Sequence, residues 1–179
     1  MPKSKLYLIL IAGLVLIFAS LITSCSKGED SILAPDFTLQ ALDGQKVTLS
    51  SFHGKPVMLV FWTIDCPNCV YQIPFIQEVY DTWSKAPLQI LAINVGDRAE
   101  TVSQFATKNN MTFPILLDPD KKTAQAYGIP GVPVTFFIDT QGMVQAYKPG
   151  AFQSQQELEV GLDSLYPSLA GTPPIKKGE

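Results

Sequence analysis

Phe61-Trp62-Thr63-Ile64-Asp65-Cys66-Pro67-Asn68-Cys69 is the stretch from which the rest of the chain can be placed. Before its turn, residues 57–62 form an unbroken apolar run, the pattern of a strand buried on both faces. Pro67 then stands where a helix begins, a position at which its missing N–H would be unpaired anyway. The two cysteines therefore fall on the first turn of that helix. Free N–H groups and the positive end of the helix dipole favour a thiolate there. The second cysteine, one turn along, can attack a mixed disulfide and close the ring. Such a pair can also be half of a zinc site, but only Cys25 and His53 remain as further ligands. The stretch predicts a dithiol–disulfide redox centre at Cys66 and Cys69, with no metal and no cofactor.

Outward from this centre, residues 88–95 form a second apolar run, and the helix expected over residues 67–83 completes a β-α-β unit. Pro74 falls inside that helix and should kink it. Upstream, residues 36–39 and 46–49 read as short strands around Asp43-Gly44, a hairpin signal. Downstream, a helix is expected from Asp97, capped by its side chain with Glu100 returning the bond, to about Asn109. A short strand over 115–117 and a short helix over 121–127 follow, the latter ending at Gly128. Strands over 134–138 and 144–147 flank Thr140-Gln141-Gly142 as a hairpin, and Ser154 with Glu157 opens the last helix as a second capping box. The expectation is an α/β fold: a mixed central sheet flanked by helices, with an N-terminal β-hairpin extension.

At 179 residues the chain has room for one ordinary domain plus appendages. Lys3 and Lys5 precede an uncharged apolar stretch over residues 6–22, followed by small residues: an export signal. Ile22-Thr23-Ser24-Cys25 resembles the lipobox of bacterial lipoproteins, in which the signal is cut before the cysteine and that cysteine carries lipid. The domains expected are a signal over 1–24, a lipidated Cys25 with a tether over 25–34, a folded domain over 35–166 and a flexible tail over 167–179. An uncleaved transmembrane anchor is the other reading, since 17 apolar residues reach the lower limit for spanning a bilayer. Either reading puts the body outside the cytoplasm. With Cys25 carrying lipid, the three cysteines leave a single vicinal pair, which suits chemistry and not stapling. Loss of Lys3 and Lys5 leaves 11 basic residues against 16 acidic ones, a net charge of −5. That balance gives no reason to expect nucleic acid as a partner.

The chain resembles thioredoxin-fold proteins of the membrane-anchored TlpA/ResA type of thiol–disulfide oxidoreductase. The likeness covers residues 35–165. It is carried by Phe61-Trp62 before Cys66-Pro67-Asn68-Cys69, by Pro74, by Asn94-Val95-Gly96-Asp97, by Phe113-Pro114-Ile115-Leu116-Leu117-Asp118 and by Gly131-Val132-Pro133-Val134-Thr135-Phe136. Three positions depart from the pattern. Asp65 replaces an aromatic residue before the first cysteine. Gln72 replaces a glutamate implicated in proton handling, and Val60 stands where thioredoxins proper have a buried aspartate.

The resemblance implies Cys66 as nucleophile and Cys69 as resolving thiol, with Trp62, Asp65, Pro67, Asn68 and Gln72 shaping and tuning the site. It also implies a cis bond before Pro133, a loop lying against the cysteines, and a Val132 main chain that pairs with a partner's extended segment. Read on its residues alone, Val132-Pro133 is an ordinary trans proline opening a strand. Asp65 should raise the Cys66 pKa, or else it is a solvated loop residue. His53, in the turn before the active strand, belongs to the opposite end of that strand and reads as a surface residue. The expected protein is a monomer that exchanges disulfides with exported proteins, in the reducing direction of cytochrome c maturation, served by a separate membrane thiol–disulfide carrier. No histidine lies between the cysteines to stabilise a thiolate, which favours that direction. Two other readings stand beside it. Thr63-Ile64-Asp65-Cys66 matches the Thr-x-x-Cys of a peroxiredoxin, a thiol peroxidase with antioxidant activity, but Leu59 stands where that signature has proline. The third is a non-catalytic binding lipoprotein on the same fold.

Overall fold

The computed structural model describes residues 32–83, 87–163 and 165. The signal, Cys25, most of the tether and the tail over 167–179 lie outside the described residues. Eight strands form one sheet: β1 (Ile32–Leu33), β2 (Thr38–Ala41), β3 (Lys46–Thr48), β4 (Val57–Trp62), β5 (Gln89–Val95), β6 (Ile115–Asp118), β7 (Val134–Ile138) and β8 (Met143–Pro149). Their spatial order is β1-β8-β7-β4-β5-β6-β2-β3. The pairs β4–β5 and β5–β6 are parallel and all the others antiparallel. Helices α1 (Pro67–Trp83), α2 (Ala99–Lys108), α3 (Lys122–Ala126) and α4 (Gln155–Asp163), with a short 3-10 helix at Leu49–Phe52, complete the described fold.

All six residues of β4 are buried, because helices and loops cover both faces of the sheet centre. Their side chains divide with the two-residue period of a strand. Met58, Val60 and Trp62 join Ile76 and Val79 of α1, Val102 of α2 and Leu158 and Leu162 of α4. Val57, Leu59 and Phe61 join Ala124 of α3 and Phe37, Ala41 and Leu49 of the N-terminal extension. Strand β5 repeats the division, with Ile90 and Ala92 on one side and Leu91 and Ile93 on the other.

The fold expected from the sequence is the one found, with three local corrections. Ile32 and Leu33, assigned to the tether, form an edge strand in register with Val144 and Met143 of β8. A two-residue edge strand carries too little pattern to be read from sequence. The helix expected from Asp97 starts at Ala99 instead, with Arg98 at its N-cap and no side-chain cap. Asp97 is drawn away by other donors, described below. In the last helix, Ser154 Oγ accepts the Glu157 N–H at 3.2 Å as expected. The Glu157 carboxylate, however, takes the N–H of Gln153, at 2.6 Å, and not that of Ser154. Pro74 sits exposed within α1, where its missing N–H leaves one carbonyl without its usual partner.

Candidate active site

The site forms where the central parallel strands end. Strand β4 stops at Trp62, and residues 63–66 turn the chain into α1. Register places Trp62 beside Asn94 on β5. Asn94 is fully buried, and its Nδ2–H donates to Asp97 Oδ2 at 2.8 Å while its Oδ1 accepts the Asp97 N–H at 3.3 Å. The same Asp97 Oδ2 accepts the Ile64 N–H at 3.0 Å. Asp97 thus ties the turn that precedes Cys66 to the end of β5. Sequence reasoning gave Asp97 the wrong task; the signal was its place three residues after Asn94, at the carboxyl end of the neighbouring strand.

Cys66 and Cys69 are joined in a disulfide, with Cα atoms 5.2 Å apart. Cys66 is partly exposed, and Cys69 is buried at 1% exposure. The Cys69 N–H points at Cys66 Sγ, at 3.1 Å, so a free backbone donor of the first helical turn is already aimed at that sulfur. Pro67, Asn68 and Asp65 are exposed around it.

The Val132–Pro133 bond is cis, and the Val132 carbonyl oxygen lies 3.6 Å from Cys66 Sγ. Chain segments 66 residues apart thus meet at one sulfur. Pro133 O accepts the Gly150 N–H at 2.8 Å, fixing the loop to the end of β8. Val132 and Pro133 also form one wall of an apolar groove of about 770 Å³, which continues past Tyr127, Phe136 and Tyr147 to Ile32. The Phe136 and Tyr147 rings stack at 5.9 Å, and Tyr147 is 65% exposed. Burial of the Tyr127 ring pushes its phenol pKa upward, and its hydroxyl donates to Pro35 O at 2.9 Å.

Beneath the pair, Trp62, Cys69 and Gln72 line a cavity of about 10 Å³. Gln72 is 1% exposed, and its Oε1 accepts the Phe152 N–H at 3.2 Å, which turns its amide NH2 the other way. Neither Gln72 Nε2 nor Trp62 Nε1 has a hydrogen-bond partner among the described residues. A buried donor without an acceptor costs about 1–3 kcal/mol, so two of them on residues that line one small cavity stand out. Val60 also lines this cavity, on the sheet side. His53 is exposed in the turn that leads into the other end of β4, away from the cysteines. Among the described residues no three His, Cys, Asp or Glu side chains gather as a metal site, and no helix is long and apolar enough to cross a membrane.

Known proteins with this arrangement agree with the geometry. The sequence pattern of the AhpC/TSA family matches residues 32–147. The thiol-disulfide oxidoreductase ResA of Geobacillus thermodenitrificans is 33% identical over 166 residues, spanning 92% of this chain and 95% of that protein. A structure assigned as the thiol:disulfide interchange protein DsbE of Chlorobium tepidum superposes with a TM-score of 0.70 at 28% identity, covering 75% of this chain and 96% of that one. The exposed lipoprotein thioredoxin of Streptococcus pneumoniae gives 0.63 at 28%, covering 73% of this chain and 100% of that one. With a helix-borne Cys66–Cys69 pair on a thioredoxin-like sheet, the chain belongs to the AhpC/TSA family, among its ResA-type thiol–disulfide oxidoreductases.

Proposed function

We propose that the protein reduces disulfides of exported polypeptides outside the cytoplasm, held to the membrane by lipid on Cys25. Cys66 is the attacking sulfur. The observation that carries this assignment is its position: partly exposed, facing the Cys69 N–H at 3.1 Å and the Val132 carbonyl at 3.6 Å. As a thiolate, Cys66 attacks one sulfur of the partner's disulfide and forms a mixed disulfide, and the partner's other sulfur leaves as a thiolate. Cys69 then attacks Cys66, the Cys66–Cys69 bond closes, and the partner is released as a dithiol carrying two more electrons. A membrane dithiol carrier returns the pair to its reduced state. The partner's extended segment pairs with the Val132 main chain, and its apolar side chains lie in the adjoining groove.

The lipid anchor rests on Ile22-Thr23-Ser24-Cys25 and on the likeness to the pneumococcal exposed lipoprotein. Preparation of apocytochrome c cysteines is the reducing task proposed for it. The peroxidase alternative loses support from Leu59, which occupies the signature's proline position in the middle of β4, between Leu91 and Phe136. A proline there would remove a ladder hydrogen bond from the central strand.

The equilibrium reduction potential of the pair, measured against defined thiol buffers, tests the direction. A value near or below about −250 mV is expected; one near about −120 to −180 mV would make the protein an oxidant or isomerase.

A further inference from the structure

Helix α1, which opens beside Cys66, and the loop that carries Val132 meet through the reactive sulfur, 3.6 Å from the Val132 carbonyl oxygen. That contact cannot keep helix and loop in place once the sulfur turns to a partner. Residues 150–153, between β8 and α4, are bonded to both. The Gly150 N–H donates to Pro133 O at 2.8 Å, next to Val132. On the other side, the Phe152 N–H donates to Gln72 Oε1 at 3.2 Å, and Gln153 O accepts the Tyr71 hydroxyl at 3.4 Å; both partners belong to α1. Between these ties the Phe152 side chain is fully buried, against Phe137. An ion pair closes the outer end. Glu157 Oε2 accepts the Gln153 N–H at 2.6 Å, and Glu157 Oε1 pairs with Lys148 Nζ at 2.8 Å. The same ammonium lies 5.5 Å from the centre of the Phe152 ring.

We infer that residues 150–153 are a strap that holds the Val132 main chain at a fixed offset from Cys66, with Tyr71 and Glu157 as positioning residues. The inference rests on the reading above that a partner's extended segment pairs with Val132. A segment bonded there presents its own cysteine to Cys66 only while loop and helix keep their spacing. The strap supplies that spacing through bonds that use neither the Cys66 sulfur nor the Val132 carbonyl. Tyr71 and Glu157 act through the strap and not on the sulfur. The device therefore serves polypeptide disulfides and is without effect on a disulfide that offers no main chain.

The test uses the full-length chain carrying Cys25→Ser, so that the pair supplies the only thiols, reduced and followed in single turnover. One substrate is a short valine-rich peptide whose single cysteine is joined to 5-thio-2-nitrobenzoate; the other is mercaptoethanol joined to the same group. In each, the Cys66 thiolate attacks the sulfur of the peptide or of mercaptoethanol, and thionitrobenzoate leaves as a coloured thiolate. The two substrates thus share a leaving group and differ in the main chain they offer. The parent is expected to saturate with the peptide and not with the small disulfide. In the double variant Tyr71→Phe, Glu157→Ala the half-saturating peptide concentration is expected to rise about fivefold, with the limiting rate and the small-disulfide rate unchanged. Glu157→Ala alone is expected to shift the same way and decides the matter if the double variant does not fold. Unchanged half-saturation overturns the strap while leaving thiol exchange and the Val132 pairing in place. An equal loss with both substrates also overturns it, since the substitutions then act on Cys66 itself. A parent that treats the two substrates alike removes the Val132 pairing, and the strap with it.

Discussion

Asp97 Oδ2 accepts the backbone N–H of Ile64 at 3.0 Å, across 33 residues of sequence, and so holds the turn that delivers Cys66. Asn94 steadies the same oxygen from the buried end of β5. One carboxylate therefore couples the two parallel strands at the end where the chemistry occurs. Replacing Asp97 with Ala removes an acceptor from the Ile64 N–H and from the buried Asn94 amide, and is expected to cost about 1–3 kcal/mol of stability. The rate of disulfide exchange should fall as well, since the turn before Cys66 loses its tie. Denaturant unfolding and a coupled exchange assay read the two effects. Unchanged exchange in a folded Asp97→Ala protein would show that the tie is structural only.

Asp65 precedes Cys66 and is exposed. A carboxylate beside a sulfur disfavours the thiolate, against the pull of the helix N-terminus. Asp65→Ala is therefore expected to lower the Cys66 pKa, seen as thiolate absorbance appearing at lower pH. A rise would contradict the electrostatic reading.

Glu157 gives a pH signature to the segment behind the site. Its carboxylate accepts the Gln153 N–H at 2.6 Å and pairs with Lys148 at 2.8 Å, and these bonds hold its pKa below the usual glutamate range. A carboxyl whose pKa is depressed on folding stabilises the fold above its unfolded value, and that stabilisation is lost as pH falls through the folded value. Glu157→Gln should lower the unfolding midpoint at neutral pH, and the gap from the parent should close in acid. A gap that persists in acid would point to packing and not charge.

Gly161 lies in α4 against the sheet. A methyl group there would stand 2.6 Å from Phe137 Cζ, and Phe137 is 1% exposed. Gly161→Ala gains up to about 1 kcal/mol in helix propensity. Overpacking a fixed core ring costs about 1–3 kcal/mol, so a net loss of stability is expected. A raised thermal midpoint would mean that α4 can shift outward freely.

Much of this architecture was legible because periodicity and composition carry it. The continuous apolar run of residues 57–62 gave β4, and Pro67 gave the start of α1, because backbone chemistry allows few other outcomes there. Asp43-Gly44 likewise marked the hairpin between β2 and β3. Strand order was less accessible. The pairing of β2 with β6 joins residues about 76 positions apart, and nothing local in either segment names the other. The cysteine pair could be read from spacing, whereas Asp97 was misread because a helix-capping pattern and a turn-holding carboxylate look alike in one dimension. The orientation of the Gln72 amide depends on the Phe152 N–H, 80 residues away, and appears only once both are folded.

The unequal exposure of the two sulfurs has a practical side. On the proposed cycle, a polypeptide captured on Cys66 has one exit, through a sulfur that bulk reagents reach poorly, since Cys69 is 1% exposed. Removing that exit with Cys69→Ser would turn a transient encounter into a lasting covalent bond. The protein's own architecture thus supplies a snare: whatever it normally services should remain attached, ready to be identified by mass.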